Sequence, residues 1–163
     1  MNKFLLAGLL LAALAGCKAE RETGAETANV IDATPVADPN SYAQPEKVRI
    51  EYINLDLKVD MAARVLAGSA EYRLQWLDDK ADALVLDTRG IDIRSVQGLD
   101  GKKWRDLPFT LDAEHAIYGS ALRIGMKQQL PQVRINYATR PEASGLQWLT
   151  PEMTASGQPF MFS

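Results

Sequence analysis

Few residues in this chain could do chemistry, and they are scattered. There is one histidine and one cysteine among 163 residues. Zinc sites draw three or four ligands from His, Cys and carboxylates, so no His-pair zinc motif can be written. His115 follows Asp112-Ala113-Glu114, an arrangement that would suit a general base with a carboxylate to orient it. No second His accompanies it, and no Ser or Cys lies in a recognised nucleophile motif, so a solvated loop histidine is expected. Asp78, Asp79, Asp87, Asp92 and Asp100 do not have the alternating spacing and closing Glu of a calcium loop. They read as turn residues that bond local backbone. The 21 acidic residues allow many imagined carboxylate pairs, but sequence fixes no distance between them. Trp76, Trp104 and Trp148 could stack on a sugar or a base; at strand positions they are expected as core or interface anchors. The glycines match no phosphate loop. No catalytic residue and no metal ligand is therefore expected in the chain itself.

The remaining reactive group, Cys17, has a different setting. Lys3 supplies a positive start, Phe4 to Ala15 is apolar and too short to span a membrane comfortably, and Leu14-Ala15-Gly16 precedes the cysteine. This order resembles a bacterial lipobox. Residues 1-16 are expected to be a signal peptide and Cys17 the lipidation site; an ordinary signal peptide with a chance cysteine is the other reading. Several acyl chains on one Cys would anchor the protein firmly, since each buried methylene contributes about 0.8 kcal/mol. Lys18, rather than Asp, follows Cys17. By resemblance to lipoprotein sorting signals this favours the outer membrane, with the protein facing the periplasm. A lipidated Cys17 leaves no partner for an intramolecular disulfide, so stability must come from the core.

The elements that would position any site begin only after a tether. Residues 17-44 comprise the lipidated Cys and a linker rich in Ala, Thr, Glu, Asp and Pro, a composition that cannot offset ordering entropy. An edge strand at Val30-Ile31 is the competing reading; Pro35 and Pro39 argue against it. From Pro45 the period becomes two. Val48, Ile50 and Tyr52 alternate with polar residues, the phase slips at Tyr52-Ile53, and Ile53, Leu55, Leu57 and Val59 continue on what should be the buried face. A bulge is expected at the slip. A turn near Asp60 to Ala63 leads into Leu66, Ala70, Tyr72, Leu74 and Trp76, an antiparallel hairpin partner. Further short strands are expected at Ala83–Leu86, Ile91–Val96 and Lys103–Arg105, at Ala116–Tyr118 and Ala121–Ile124 around Gly119-Ser120, and at Val133–Tyr137. Thr150-Pro151-Glu152 reads as a brief helical turn capped by Thr. The expected fold is all-β: a saddle-like antiparallel β-sandwich over residues 45-163. A formal net charge of −3 argues against a nucleic-acid partner.

The most specific segment is C-terminal. Arg140-Pro-Glu-Ala-Ser144-Gly-Leu-Gln-Trp-Leu149-Thr-Pro-Glu-Met-Thr154, followed by Gly157-Gln-Pro-Phe-Met-Phe-Ser163, resembles zinc aminopeptidases of the aminopeptidase N type. It is most similar to the branch containing leukotriene A hydrolase. Leu86-Asp-Thr-Arg89 and Ile135-Asn-Tyr-Ala-Thr-Arg-Pro-Glu142 echo the same pattern, and the resemblance runs from about Pro45 to Ser163.

That resemblance implies an N-terminal β domain that covers one side of a zinc cleft built by a following catalytic domain. In the family a His-Glu-x-x-His helix and a later Glu hold the zinc, which activates the attacking water. All of these lie beyond the matched segment. The expectation is therefore a non-catalytic N-terminal domain of a membrane-anchored zinc metallo-aminopeptidase, incomplete at its C-terminal end and inactive alone. Its partners would be the catalytic domain of the same polypeptide, peptide substrates, and the membrane through the lipid on Cys17. The alternative is a stand-alone lipoprotein β-sandwich that binds or scaffolds a partner.

Overall fold

The computed structural model describes residues 38–163. The leader, Cys17 and most of the proposed tether lie outside the described residues. The rest is antiparallel throughout, as the period-two pattern requires.

Strand β1 (Val48–Asp60) and strand β2 (Val65–Trp76) form a long hairpin. Its turn is held by the Ala63 N–H donating to Asp60 Oδ1 (2.9 Å), with Arg64 at φ 55°. Strands β3 (Ala83–Thr88) and β4 (Ile91–Asp100) follow. Gly101, at φ 61°, turns the chain from β4 into β5 (Lys103–Asp106). Then come β6 (Phe109–Leu111), β7 (Ser120–Gly125) and β8 (Gln132–Thr139). A short ladder of β9 (Gln147–Leu149) and β10 (Phe160–Phe162) encloses a single 3₁₀ turn, Pro151–Met153.

Five strands pair in the order β1-β2-β8-β4-β5, and three in the order β3-β7-β6. The phase slip of β1 is real. Ile50 faces Leu74 and Tyr52 faces Arg73, so Glu51 is the extra residue. That bulge turns Ile53, Leu55, Leu57 and Val59 onto the face already occupied by Val48 and Ile50. A second bulge, at Arg94, lets Ile93 and Val96 share a face. Cross-strand register then sorts the large sheet into two surfaces. One carries Ile50, Leu74, Ala70, Val133, Ile135 and Val96. The other carries Glu71, Arg134, Asn136, Ser95, Trp104 and Asp106.

The core lies where the apolar surface meets the small sheet. Val48, Leu74, Val96, Val133 and Ile135 pack with Leu84, Leu122 and Ile124, and Met126 and Leu130 close one end. Trp76 packs against this cluster and donates its Nε1–H to the Leu130 carbonyl (2.8 Å). The buried Thr88 hydroxyl is spent on the Ser120 carbonyl (2.9 Å). On the polar surface Arg134 sits 4.1 Å from the centroid of the Trp104 ring and 2.6 Å from Glu71.

Two expectations need correction. Residues Ala116–Tyr118 form no strand. They make a tight turn closed by the His115–Gly119 bridge, and β7 pairs instead with β3 and with β6, a three-residue strand. The Thr150 side chain makes no capping bond to the 3₁₀ turn; the extended residue simply precedes Pro151.

Candidate interdomain surface

His115 and most of the aspartates singled out in the sequence are engaged by local structure, whereas Cys17 lies outside the described residues. His115 Nδ1 accepts the backbone N–H groups of Ile117 and Tyr118 (3.2 Å each), and its ring stacks on Tyr118 at 4.7 Å. Its two neighbouring acids are engaged elsewhere. Asp112 grips Arg123 (2.9 Å), and Glu114 reaches Arg140 (3.4 Å). No carboxylate orients the imidazole, so the arrangement serves the turn. The aspartates are dispersed in the same way. Asp87 takes the Ser41 hydroxyl (2.6 Å) and the Tyr42 N–H (2.7 Å), Asp92 pairs with Arg140, Asp100 pairs with Arg105, and Asp78 accepts the Lys80 N–H. Among the described residues no three His, Cys, Asp or Glu come together as a metal site. Zinc therefore has no fitting ligand set among the described residues. The tryptophans divide: Trp76 is core, Trp104 lies under Arg134, and the half-buried Trp148 has an Nε1–H with no acceptor among the described residues. Such an orphan costs about 1–3 kcal/mol.

What the sequence did not mark as a site is a surface. The three-stranded sheet covers only part of the large sheet's apolar face. Where it ends, Ile53, Leu55 and Val59 are left 49%, 57% and 42% exposed. The alternation correctly placed these residues on the apolar face, but that stretch of the face has no cover among the described residues. The strands of the small sheet are six residues long at most, whereas β1 has thirteen.

A groove of about 650 Å³ opens here, floored by Ile50, Leu57, Tyr72, Ile93, Ile135 and Tyr137 and bordered by Leu146 and Ser163. Gly68 stands opposite both Leu57 and Tyr137. A Cβ there would collide with the Asp56 carbonyl oxygen, so close approach of the hairpin's two strands requires glycine. Burial pushes the Tyr72 phenol above its ordinary value of 10, reinforced by Tyr137, and burial alone raises Tyr137. Neither hydroxyl has a hydrogen-bond partner among the described residues. The groove is mainly hydrocarbon, with the Tyr72 and Tyr137 phenols on its floor and Asp87, Thr88, Arg89 and Thr139 also lining it. Asp87 is engaged by Ser41 and Tyr42, Thr88 by the Ser120 carbonyl and Thr139 by the Leu66 N–H, so the groove can bury apolar side chains and offer a few hydrogen bonds.

The described residues thus form an antiparallel β domain with part of its apolar face exposed and no metal-ligand cluster among them. Comparison with known proteins places it further. No family model matches the sequence. The chain is 37% identical over 134 residues to leukotriene A-4 hydrolase of Xenopus laevis, covering 78% of this chain and 21% of that protein. It is 38% identical over 133 residues to leucine aminopeptidase 2 of Yarrowia lipolytica, covering 79% and 20%. The fold matches yeast LTA4 hydrolase in complex with bestatin with a TM-score of 0.71 at 25% identity, over 80% of this chain and 20% of that one. Native yeast LTA4 hydrolase gives the same score at 26% identity. The β domain is homologous to the leukotriene A4 hydrolase and leucine aminopeptidase group, as an N-terminal domain of these hydrolases. The chain spans about a fifth of the length of these relatives.

Proposed function

We propose that this domain forms one wall of the substrate cleft of a zinc aminopeptidase and docks on the catalytic part through its bare apolar face. The observation that carries this reading is the exposed row Ile53, Leu55 and Val59 beside the groove. A monomeric soluble domain rarely leaves so much contiguous hydrocarbon in water. Homology over one fifth of each relative supports the same division of labour. The nucleophilic water, its zinc and the group that receives the peptide's amino terminus are then supplied by polypeptide outside these 163 residues. The role of this domain is to exclude water and to fix the cleft's width.

Cys17 would carry the lipid anchor, and the residues between it and Ser41, which with Tyr42 is held on Asp87, would hold the domain off an outer-membrane surface. A flexible linker of that length spans roughly 25 Å, taking about 5–6 Å times the square root of residue number. The order of cationic start, short apolar run, small residues and cysteine supports that assignment. Radiolabelled palmitate should enter the protein in a bacterial host and fail to enter a Cys17→Ser variant.

The functional reading is tested by the coding sequence. A reading frame that continues past Ser163 into a His-Glu-x-x-His helix agrees with it. A stop codon directly after Ser163 in the expressed gene replaces it with a stand-alone lipoprotein module.

A further inference from the structure

The free edge of β1 is a separate feature from the bare face. We propose that two copies of this chain pair antiparallel along β1, with Leu55 on the two-fold axis. The large sheet ends on β1 on one side and on β5 on the other. Sheet edges usually carry a device that blocks pairing: short length, proline, lysine or a bulge. β5 has four residues, β6 has three, and the first part of β1 has the Glu51 bulge. Beyond that bulge β1 runs from Tyr52 to Asp60 with no proline and one lysine, Lys58. No described strand pairs with its outer side.

Register decides whether a copy can bind there. Directly opposed residues share a face, so only registers that keep apolar residues together are allowed. Centring on Asp56 would set that carboxylate against itself. Centring on Asn54 would set Leu57 against Glu51. Centring on Leu55 sets Leu55 against Leu55 and Ile53 against Leu57 on the apolar face. On the polar face it sets Asn54 against Asp56, donor to acceptor, and Lys58 against the Tyr52 ring. Centring on Leu57 sets Leu55 against Val59 and Asp56 against Lys58, but it puts Ile53 opposite Met61, which lies beyond the end of β1, and so leaves Ile53 without a strand partner. The Leu55 register is the one that pairs both half-exposed residues, Ile53 and Leu55, within the strand. Ile53 and Leu55 are about half exposed in the single chain, so pairing covers hydrocarbon that is now in water.

The contact is small, and a dissociation constant on the order of micromolar or weaker is expected. Sedimentation velocity of the full chain over a concentration series is the direct test. The wild type should pass from monomer to dimer. Leu55→Lys, which places two ammonium groups opposite each other, should weaken dimerisation by at least about tenfold while leaving the unfolding curve unchanged. In a Cys17→Ser background, Leu55→Cys should oxidise to a covalent dimer much faster than Val59→Cys, because only position 55 meets its own copy. A monomer at every concentration overturns the proposal. So does association that persists in Leu55→Lys, or equal cross-linking of the two cysteine variants. The cysteine pair separates edge pairing from association through the bare apolar face, which carries both Leu55 and Val59 and would not single out position 55.

Discussion

Leu55 and Ala70 stand directly opposite each other across the β1–β2 hairpin, on the same face, yet Ala70 is 1% exposed and Leu55 57%. The cover over this face ends between two adjacent strands. That boundary separates the part of the domain that is finished as a folding unit from the part that offers itself to something else.

Substitutions on the two sides of the boundary should behave differently. Leu122→Ala or Ile124→Ala, at residues with 0% exposure, should cost about 2–5 kcal/mol by urea unfolding. Leu55→Ser should change stability by no more than about 0.5 kcal/mol, as exposed positions do. A large loss at Leu55 would mean that the face is already covered within this chain.

The turn around His115 should depend on Gly119 more than on the imidazole. Gly119 has φ 71°, and a Cβ there would collide with the Thr88 carbonyl oxygen. Gly119→Ala should destabilise the domain by about 1–3 kcal/mol. His115→Asn, in an exposed turn, should cost under about 1 kcal/mol by thermal unfolding.

The two groove tyrosines make a prediction for alkaline pH. Both phenols are raised above 10 in the folded state, mainly by burial. A raised folded value means that the unfolded chain loses its proton first. Their contribution to stability is therefore complete below pH 10 and lost as pH rises through the folded values. Urea midpoints should fall above pH 10 in the wild type. They should fall less in Tyr72→Phe and Tyr137→Phe, and the phenolate absorbance that these two substitutions remove should be the part that develops in step with unfolding.

The polar surface should show measurable coupling between Arg134 and Glu71. Both side chains are about 30% exposed, and Arg134 also lies over Trp104. A double-mutant cycle with Arg134→Met and Glu71→Gln should give about 0.5–1 kcal/mol, weakened by salt. Zero coupling would reduce the contact to a geometric coincidence.

Much of this was legible in the sequence, and the exceptions are instructive. The phase slip at Tyr52-Ile53 announced the bulge within one or two residues of Glu51, because one extra residue changes the face of all that follow. The β1–β2 hairpin and the fold class were read from alternation and punctuation. Three-residue strands such as Phe109–Leu111 and Phe160–Phe162 were not, since so short a run cannot show a period. Gly119-Ser120 misled because it suggested a two-strand hairpin, whereas its glycine serves the turn closed at His115. The apolar row of β1 was identified, but alternation assigns a face and says nothing about what covers it. That is why the exposure of Ile53, Leu55 and Val59 emerged only from the structure, while the family resemblance was already carried by Gly145-Leu-Gln-Trp-Leu-Thr-Pro-Glu152.

The most direct test of the account is hydrolysis of an aminoacyl anilide in the presence of zinc. It should be measured for the pure 163-residue chain and for the same chain extended by whatever coding sequence follows Ser163. The account predicts no turnover from the first and zinc-dependent release of the N-terminal residue from the second, lost when Leu55 and Ile53 are both changed to Asp. Turnover by the 163 residues alone, or an extended protein that stays inactive while folded and loaded with zinc, would contradict it.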